Sequence, residues 1–319
     1  MRAPFARTSR RYLPALWAGL GLGLLCVRSV AAAGYSTGGT FLPLGHGARL
    51  HGLGTAGVAL LRDDAAAYWN PANLAWLQQQ NGITLMHADI LDEIDDGYES
   101  VSFGRAAGMR LGAPEQLLRP TRWGYGMFLS HLGFTFASGN GWSENVFQFS
   151  AAVAFSNYAS VGASVKGLQA HNDFDAGDGQ GAGFDLAVTV LVFERLTLAI
   201  VGRDVFTRVQ WDTGTWETLQ PEVTTGLELR PGNRWIVEAD VAARQSSLHM
   251  AAGGVEWQAY RDVFWLRGGV TYVVPGESRV YASAGAGLRW SRLVLDYGAA
   301  FDEADAMGIG QRVSLHVAF

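Results

Sequence analysis

Cysteine is nearly absent, since the chain of 319 residues has one, Cys26. It lies in an N-terminal stretch that reads as a leader, so the mature chain has no thiol for a disulfide or a thiolate metal site. Charge is scarce, with Asp, Glu, Lys and Arg at 17% of residues. Low charge beside 41 Gly, 11 Trp, 16 Phe and 10 Tyr is unusual for a soluble enzyme and fits an outer surface that faces lipid. No uninterrupted apolar run of about 18 residues follows the leader, so no later segment reads as a membrane-spanning helix. The nearest, Leu186 to Val201, is split by Glu194-Arg195 into two strand-length halves rich in Val, Thr and Ile. The seven His are dispersed with no H-E-x-x-H pair, so no zinc site is expected. An exported chain with much apolar surface and no helical span leaves a soluble β protein or a membrane β-barrel.

What is present begins with that leader. Arg2, Arg7, Arg10 and Arg11 form a basic n-region, Leu16 to Val27 an apolar core, and Ala31 to Ala33 an A-x-A cleavage site before Gly34. A cleaved signal peptide over 1–33 is expected. Its removal takes five Arg and no acids, leaving 19 basic residues against 29 acidic, about −10 rather than −5. That balance argues against nucleic acid as a partner.

One stretch, Asp63 to Leu77, reads as helix, and it is kinked. Asp63 and Asp64 suit a helix N-terminus. Pro71 forbids continuation and pushes Asn70 out of the α region. Asn70 then caps a second short helix with Pro71 at its first position. The apolar side chains Tyr68, Trp69, Leu74, Trp76 and Leu77 must bury somewhere.

Beyond this stretch the chain reads as about 14 strands of barrel-spanning length: 83–88, 98–103, 123–131, 145–156, 158–170, 183–193, 196–206, 222–230, 233–244, 248–260, 263–273, 279–290, 292–301 and 309–319. Several alternate with period two. In the last, Val313, Leu315, Val317 and Phe319 oppose Arg312, Ser314 and His316. From the fourth onward the even connections are tight, at Asn157, Glu194-Arg195, Pro231-Gly232, Arg261-Asp262 and Ser291, and several odd ones are longer, such as His171–Ala182 and Thr207–Pro221, with Gln245–Ser247 a short exception. Short turns on one rim and longer loops on the other are the habit of outer-membrane barrels. Aromatics near strand ends, such as Trp123, Trp235, Trp257 and Trp290, fit interfacial girdles. The expected fold is therefore an all-β transmembrane antiparallel barrel of about 14 strands (82–319) with a short-helical plug (34–81) in its lumen.

In this register Asp185, Glu228, Arg230, Arg234, Glu238, Asp240, Arg289, Asp296, Arg312 and His316 line the lumen, with Lys166 and Glu222. Their mixed signs suggest a salt-bridge lattice that stiffens the barrel and seats the plug.

The literal motif matches lack their contexts. Gly52-Leu53-Gly54-Thr55-Ala56-Gly57 matches G-x-G-x-x-G but opens no βαβ unit, and reads as a plug turn. Gly34-Tyr35-Ser36-Thr37-Gly38 matches the hydrolase elbow with no strand before it. The acidic loop Asn172 to Gly179 lacks the glycine and glutamate positions of a calcium loop. No catalytic set, cofactor or metal is expected, and the chain does not read as an enzyme.

The stretch Gly47-Ala48-Arg49-Leu50-His51-Gly52-Leu53-Gly54-Thr55-Ala56-Gly57-Val58-Ala59-Leu60, followed by Asp63 to Ala72, resembles the plug of the long-chain fatty acid transporter-like (FadL-like) outer-membrane barrels, especially the PorV/PorQ branch. The closing stretch Gly308 to Phe319 is similar to that branch's last strand, and its Val313, Leu315, Val317 and Phe319 to the signal read by the barrel-insertion machinery. The resemblance implies a 14-stranded barrel with an N-terminal hatch, whose Asn-Pro-Ala maps onto Asn70, Pro71 and Ala72. It implies outer-membrane lipid as surroundings. It also implies passive passage of fatty-acid-like hydrophobic molecules, or in the PorV-like members a partnership with secreted proteins. The long connection from Gly104 to Arg122, with Gly124 and Gly126 after it, reads as an interruption of the wall near the third strand.

Overall fold

The structure is a computed structural model that describes residues 44–60, 63, 65–77, 81–89, 96–108, 122–135, 138–173, 177–245, 247–274, 279–302 and 310–319. The leader 1–33, its cleavage site and Cys26, the elbow-like match at 34–38, and Asp64 lie outside them. So does most of the long connection before the third strand.

Fourteen antiparallel strands close into a barrel. They are β1 (Asn81–Asp89), β2 (Asp96–Gly108), β3 (Arg122–Thr135), β4 (Gly141–Ala154), β5 (Ala159–Asn172), β6 (Gly179–Phe193) and β7 (Leu196–Arg203), then β10 (Glu222–Gly232), β11 (Trp235–Arg244), β12 (Ser247–Tyr260), β13 (Phe264–Val273), β14 (Arg279–Trp290), β15 (Leu293–Asp302) and β16 (Gly310–Ala318). Closure comes from β1 against β16, in register from Gly82↔Ala318 to Asp89↔Gln311. Two short strands, β8 (Arg208–Trp211) and β9 (Trp216–Thr218), stand outside the ring. Their hairpin pairs with the start of β6, at Gly179–Ala182, beyond where β7 ends. No strand is expected here from the sequence, because Val209 and Trp211 are too few to show a period. Strands of 8–15 residues suit an apolar band about 25 Å tall at the roughly 40° tilt usual for such barrels.

Alternation sorts the side chains. Phe147, Phe149, Val165, Phe184, Leu186, Val241 and Leu295 project outward, each 42–52% exposed. Between them Gln148, Ser150, Ser164, Lys166, Asp185, Asp240 and Asp296 are buried on the inner face. A polar interior with an apolar exterior inverts the order of a soluble protein and is the order of a lipid-facing barrel. Aromatics cluster at the tight-turn rim, where Trp290, Tyr260, Phe193 and Trp235 are exposed and Trp235 stacks on Trp257 at 5.7 Å between centroids. Phe206 and Trp216 are exposed at the other rim.

The wall is not interrupted at the third strand. β3 pairs with β2 from Arg122 to Phe134 and with β4 from Arg122 to Thr135, without a register shift. Gly124 and Gly126 serve a different purpose from the gap expected of them. Both face the lumen, where the Leu74 carbonyl and the Ala67 methyl occupy the space their side chains would fill.

Candidate functional site

The described residues between 44 and 77 lie inside the barrel and form the hatch. A single turn, Ala48–His51, rests on β14, β15 and β16. A second, Ala66–Trp69, follows Asp63, whose Oδ1 accepts the Ala65 amide at 3.0 Å. Asn70 is extended, and its Oδ1 accepts the Ala72 amide at 2.9 Å, capping a 3-10 helix at Pro71–Trp76 with proline in its first turn. This helix packs on β2 to β6. Trp69, Leu74, Trp76 and Leu77 are buried, and Tyr68 is partly buried against Phe128.

The bend at Asn70-Pro71-Ala72 is held by more than its proline. Asn70 Nδ2 donates to the Val58 carbonyl at 2.6 Å and to Thr189 Oγ1 on β6 at 3.0 Å. Asn73 Nδ2 donates to the Val58 and Leu60 carbonyls at 3.1 and 2.9 Å, and Thr189 Oγ1 donates to Asn73 Oδ1 at 2.6 Å. Two asparagines thus tie both halves of the hatch to each other and to the wall. Short polar side chains supply what an irregular backbone lacks, since every buried N–H and C=O needs a partner.

Tethers reach most of the way round the wall. Trp76 Nε1 donates to Ser160 Oγ at 2.8 Å, which donates to the Ala72 carbonyl at 2.8 Å. Gln148 Nε2 and Ser150 Oγ both donate to the Ala67 carbonyl, at 2.6 and 2.7 Å. The His46 imidazole sits fully buried between the Ser100 and Ser102 hydroxyls, at 2.8 Å from each. Across the lumen Asp240 Oδ2 accepts the Gly57 and Val58 amides at 2.7 and 3.1 Å. The G-x-G-x-x-G match is this turn. The backbone lies so close to the wall that a Cβ on Gly254 would collide with the Leu53 carbonyl, and one on Gly162 with the Ala72 amide. His51 is held neutral, because burial and the Arg312 guanidinium push its pKa down to about 3.

Below the hatch, at the tight-turn end, the lumen opens into a vestibule of about 630 Å³. Its walls carry a lattice of charges. Arg49 of the hatch joins Asp63 at 2.9 Å and Glu256 at 2.8 Å. Arg267 joins Glu256 at 2.7 Å and Asp296 at 2.6 Å. Glu228 and Arg230 pair at 2.8 Å, and the Arg289 guanidinium lies 5.0 Å over the Trp265 ring. Arg234 and His316 also line this space. Asp185 stands apart, toward the long loops, where Lys166 bridges it at 2.8 Å and Asp204 more closely. Arg312 lies beside Gly45 and Trp69. Glu238 is 1% exposed, and neither carboxylate oxygen has a hydrogen-bond partner among the described residues.

Sequence reasoning missed Arg49, Glu256, Arg267 and Arg203. Period two would have placed Glu256 inward between Val255 and Trp257. Arg49 and Arg203 lay in stretches without that period. Arg203 donates to the Trp69 carbonyl at 3.1 Å and lies over the Tyr68 and Trp69 rings.

On the outer wall an apolar groove of about 320 Å³ runs across β4 to β7 and β10. Ala151, Ala163, Val188, Ile200 and Val223 form its outer lining, and Ala152, Gly162 and Ala187 its floor. Ala72 of the hatch bend lies directly behind Gly162. Only one thickness of wall, without bulky side chains, separates groove from hatch.

The architecture has solved counterparts. The monoaromatic hydrocarbon channel CymD superposes with a TM-score of 0.64 at 14% identity, over 88% of this chain and 99% of that one. The Pseudomonas putida toluene transporter TodX gives 0.59 at 15%, over 86% and 99%. A Pseudomonas aeruginosa FadL homologue gives 0.57 at 13%, over 85% and 97%. This is the fold of the FadL and TodX channels. No protein-family model and no curated protein matches the sequence.

Proposed function

We propose that this chain is an outer-membrane channel that passes hydrophobic small molecules by passive diffusion. The observation that carries the reading is the pairing of an apolar groove on the lipid side of the wall with the hatch bend behind it. A charged vestibule is a poor path for an apolar solute, since stripping water from its ion pairs is costly. A sideways path past the bend meets Ala152, Gly162 and Ala187 instead. The structural neighbours are hydrocarbon and toluene channels and a FadL homologue, which supports a fatty-acid-like or monoaromatic solute here. Asn70, Pro71 and Ala72 act as the movable bend. The outward Val313 and exposed Phe319, with Leu315 and Val317, serve as the assembly signal of the last strand. The charges of the vestibule seat the hatch and perform no chemistry. The PorV-type partnership with secreted proteins rests on the sequence resemblance alone.

Uptake of labelled toluene and of a labelled long-chain fatty acid, by cells with and without the protein, tests this. Faster uptake of at least one solute is expected, reduced by Ala163→Trp, which fills the groove from outside. Equal uptake of both solutes in the two cell lines sinks the proposal.

A further inference from the structure

The exposed charges of the barrel are sorted by rim. At the tight-turn end Arg105, Arg195, Arg234, Arg261, Arg289 and Arg292 are all exposed, Arg195, Arg234 and Arg289 at the mouth of the vestibule and Arg105, Arg261 and Arg292 clear of its lining. Only Glu194 and Asp262 oppose them among the described exposed acids there. At the long-loop end the exposed acids are Asp89, Glu99, Asp173 and Asp212, and the one exposed Arg or Lys among the described residues is Arg208. The chain is acidic overall, so this rim is basic against its own background. The arginines are spread over separate turns and strand ends: β2, β6–β7, β10–β11, β12–β13 and β14–β15. They sit beside the aromatic girdle of Phe193, Trp235, Tyr260 and Trp290. Arg105, Arg261 and Arg292 make no salt bridge within the described structure.

We infer that the tight-turn rim is a docking surface for the phosphate headgroups of an anionic phospholipid leaflet. The inference rests on the reading of the chain as a membrane-spanning barrel. Two features fit a lipid surface better than a compact partner. The cations clear of the vestibule sit on β2, β12–β13 and β14–β15, along an arc of the rim rather than in one compact patch. The rings next to them are the kind that settle at the headgroup level. Arginine adds a planar fork that holds phosphate oxygens in pairs, while its stem lies along apolar surface. A cation near such a surface is worth about a fivefold preference for anionic over neutral lipid.

The test reconstitutes the full chain in vesicles and reads tryptophan quenching by brominated lipid. Dibrominated phosphatidylglycerol is compared with dibrominated phosphatidylcholine in a phosphatidylcholine host. A severalfold preference for phosphatidylglycerol is expected, weakened by salt. It falls by at least half in R105Q/R261Q/R292Q, whose folding is checked by the mobility difference between heated and unheated protein on gels. Insertion with equal quenching by the two lipids overturns the rim proposal and leaves the barrel reading standing. A preference unchanged in the folded variant overturns it too. Failure to insert into either bilayer removes both. Tight binding of polyglutamate without lipid preference replaces the leaflet with an acidic protein partner.

Discussion

The Asp240 carboxylate lies 2.7 Å from the Gly57 amide, and the same oxygen takes the Val58 amide at 3.1 Å. One side chain of β11 thus holds a hatch turn that has no regular structure of its own. Hydrogen bonds to a charged acceptor are worth about 1.5–3 kcal/mol each. Asp240→Ala should therefore raise hydrogen exchange at Gly57 and Val58 by roughly ten- to a hundredfold, with barrel assembly intact. Asp240→Asn keeps one acceptor oxygen and should fall between. Unchanged protection of both amides in the alanine variant rules out the latch.

Asn70 should matter more than Pro71. Proline in the first helical turn gives up an N–H that has no intrahelical partner anyway, so Pro71→Ala removes mainly rigidity, about 0.4–1 kcal/mol. Asn70→Ala removes the cap on Ala72 and the links to Val58 and Thr189. It leaves the buried Ala72 amide without its acceptor, at about 1–3 kcal/mol, and Val58 and Thr189 with their bonds to Asn73. Solute permeability should shift markedly in Asn70→Ala and slightly in Pro71→Ala. The reverse order would show that the proline alone sets the bend.

Much of this was legible in advance because period two is a strong signal when one face is lipid and the other wet. All fourteen ring strands fall in the segments read as strands, several of them marked by alternation, with ends that differ by a few residues. Asn70-Pro71 announced the kink through backbone sterics alone. The tethers did not announce themselves. Ser150, Ser160 and Thr189 look like ordinary strand residues until the hatch backbone lies against them. Gly124 looked like a weak point in the wall, because a glycine in a strand marks either a break or a close approach. The sequence cannot say which until the approaching Leu74 carbonyl is in place.

The glycines of the wall give a direct test of that close approach. Gly162→Val puts a branched side chain where the Ala72 amide lies, whereas Gly167 on the same strand has open space at its Cβ position. Overpacking of this kind costs about 1–3 kcal/mol, and here the hatch is the part free to yield. Planar-bilayer conductance should rise in Gly162→Val and stay at the wild-type level in Gly167→Val. Equal conductance in all three proteins would mean that the hatch does not seat on β5.

Arg267 links Glu256 and Asp296 with its side chain 2% exposed. Removing one member of a buried ionic cluster strands the others, at about 3–5 kcal/mol. Arg267→Ala should lower the urea midpoint of vesicle-embedded protein clearly. The triple change Arg267→Met, Glu256→Gln, Asp296→Asn should recover part of the loss, because no charge is then left unpaired. A single variant as stable as the wild type would reduce the lattice to decoration.

The outermost link of that lattice, Arg49 to Asp63, sets how the hatch answers to acid. Burial alone would raise the Asp63 carboxyl. The Arg49 guanidinium, the Ala65 amide and His316 outweigh it and hold the carboxyl below its ordinary value. A carboxyl lowered by folding adds stability that is fully present above its unfolded value, about 3.9. That stability is lost as pH falls through the lowered folded value. Acidification from about pH 7 to 5 should therefore leave this tether untouched, and loosening should begin only below about pH 4. Hydrogen exchange at Ala65, corrected for its intrinsic pH dependence, reads the tether directly. It should be flat down to about pH 5 in the wild type. In Asp63→Asn it should lie above the wild-type level between about pH 5 and 7 and show no step on further acidification, because the amide side chain has no charge to lose. A wild-type step near pH 6 would move control of the hatch from Asp63 to a histidine.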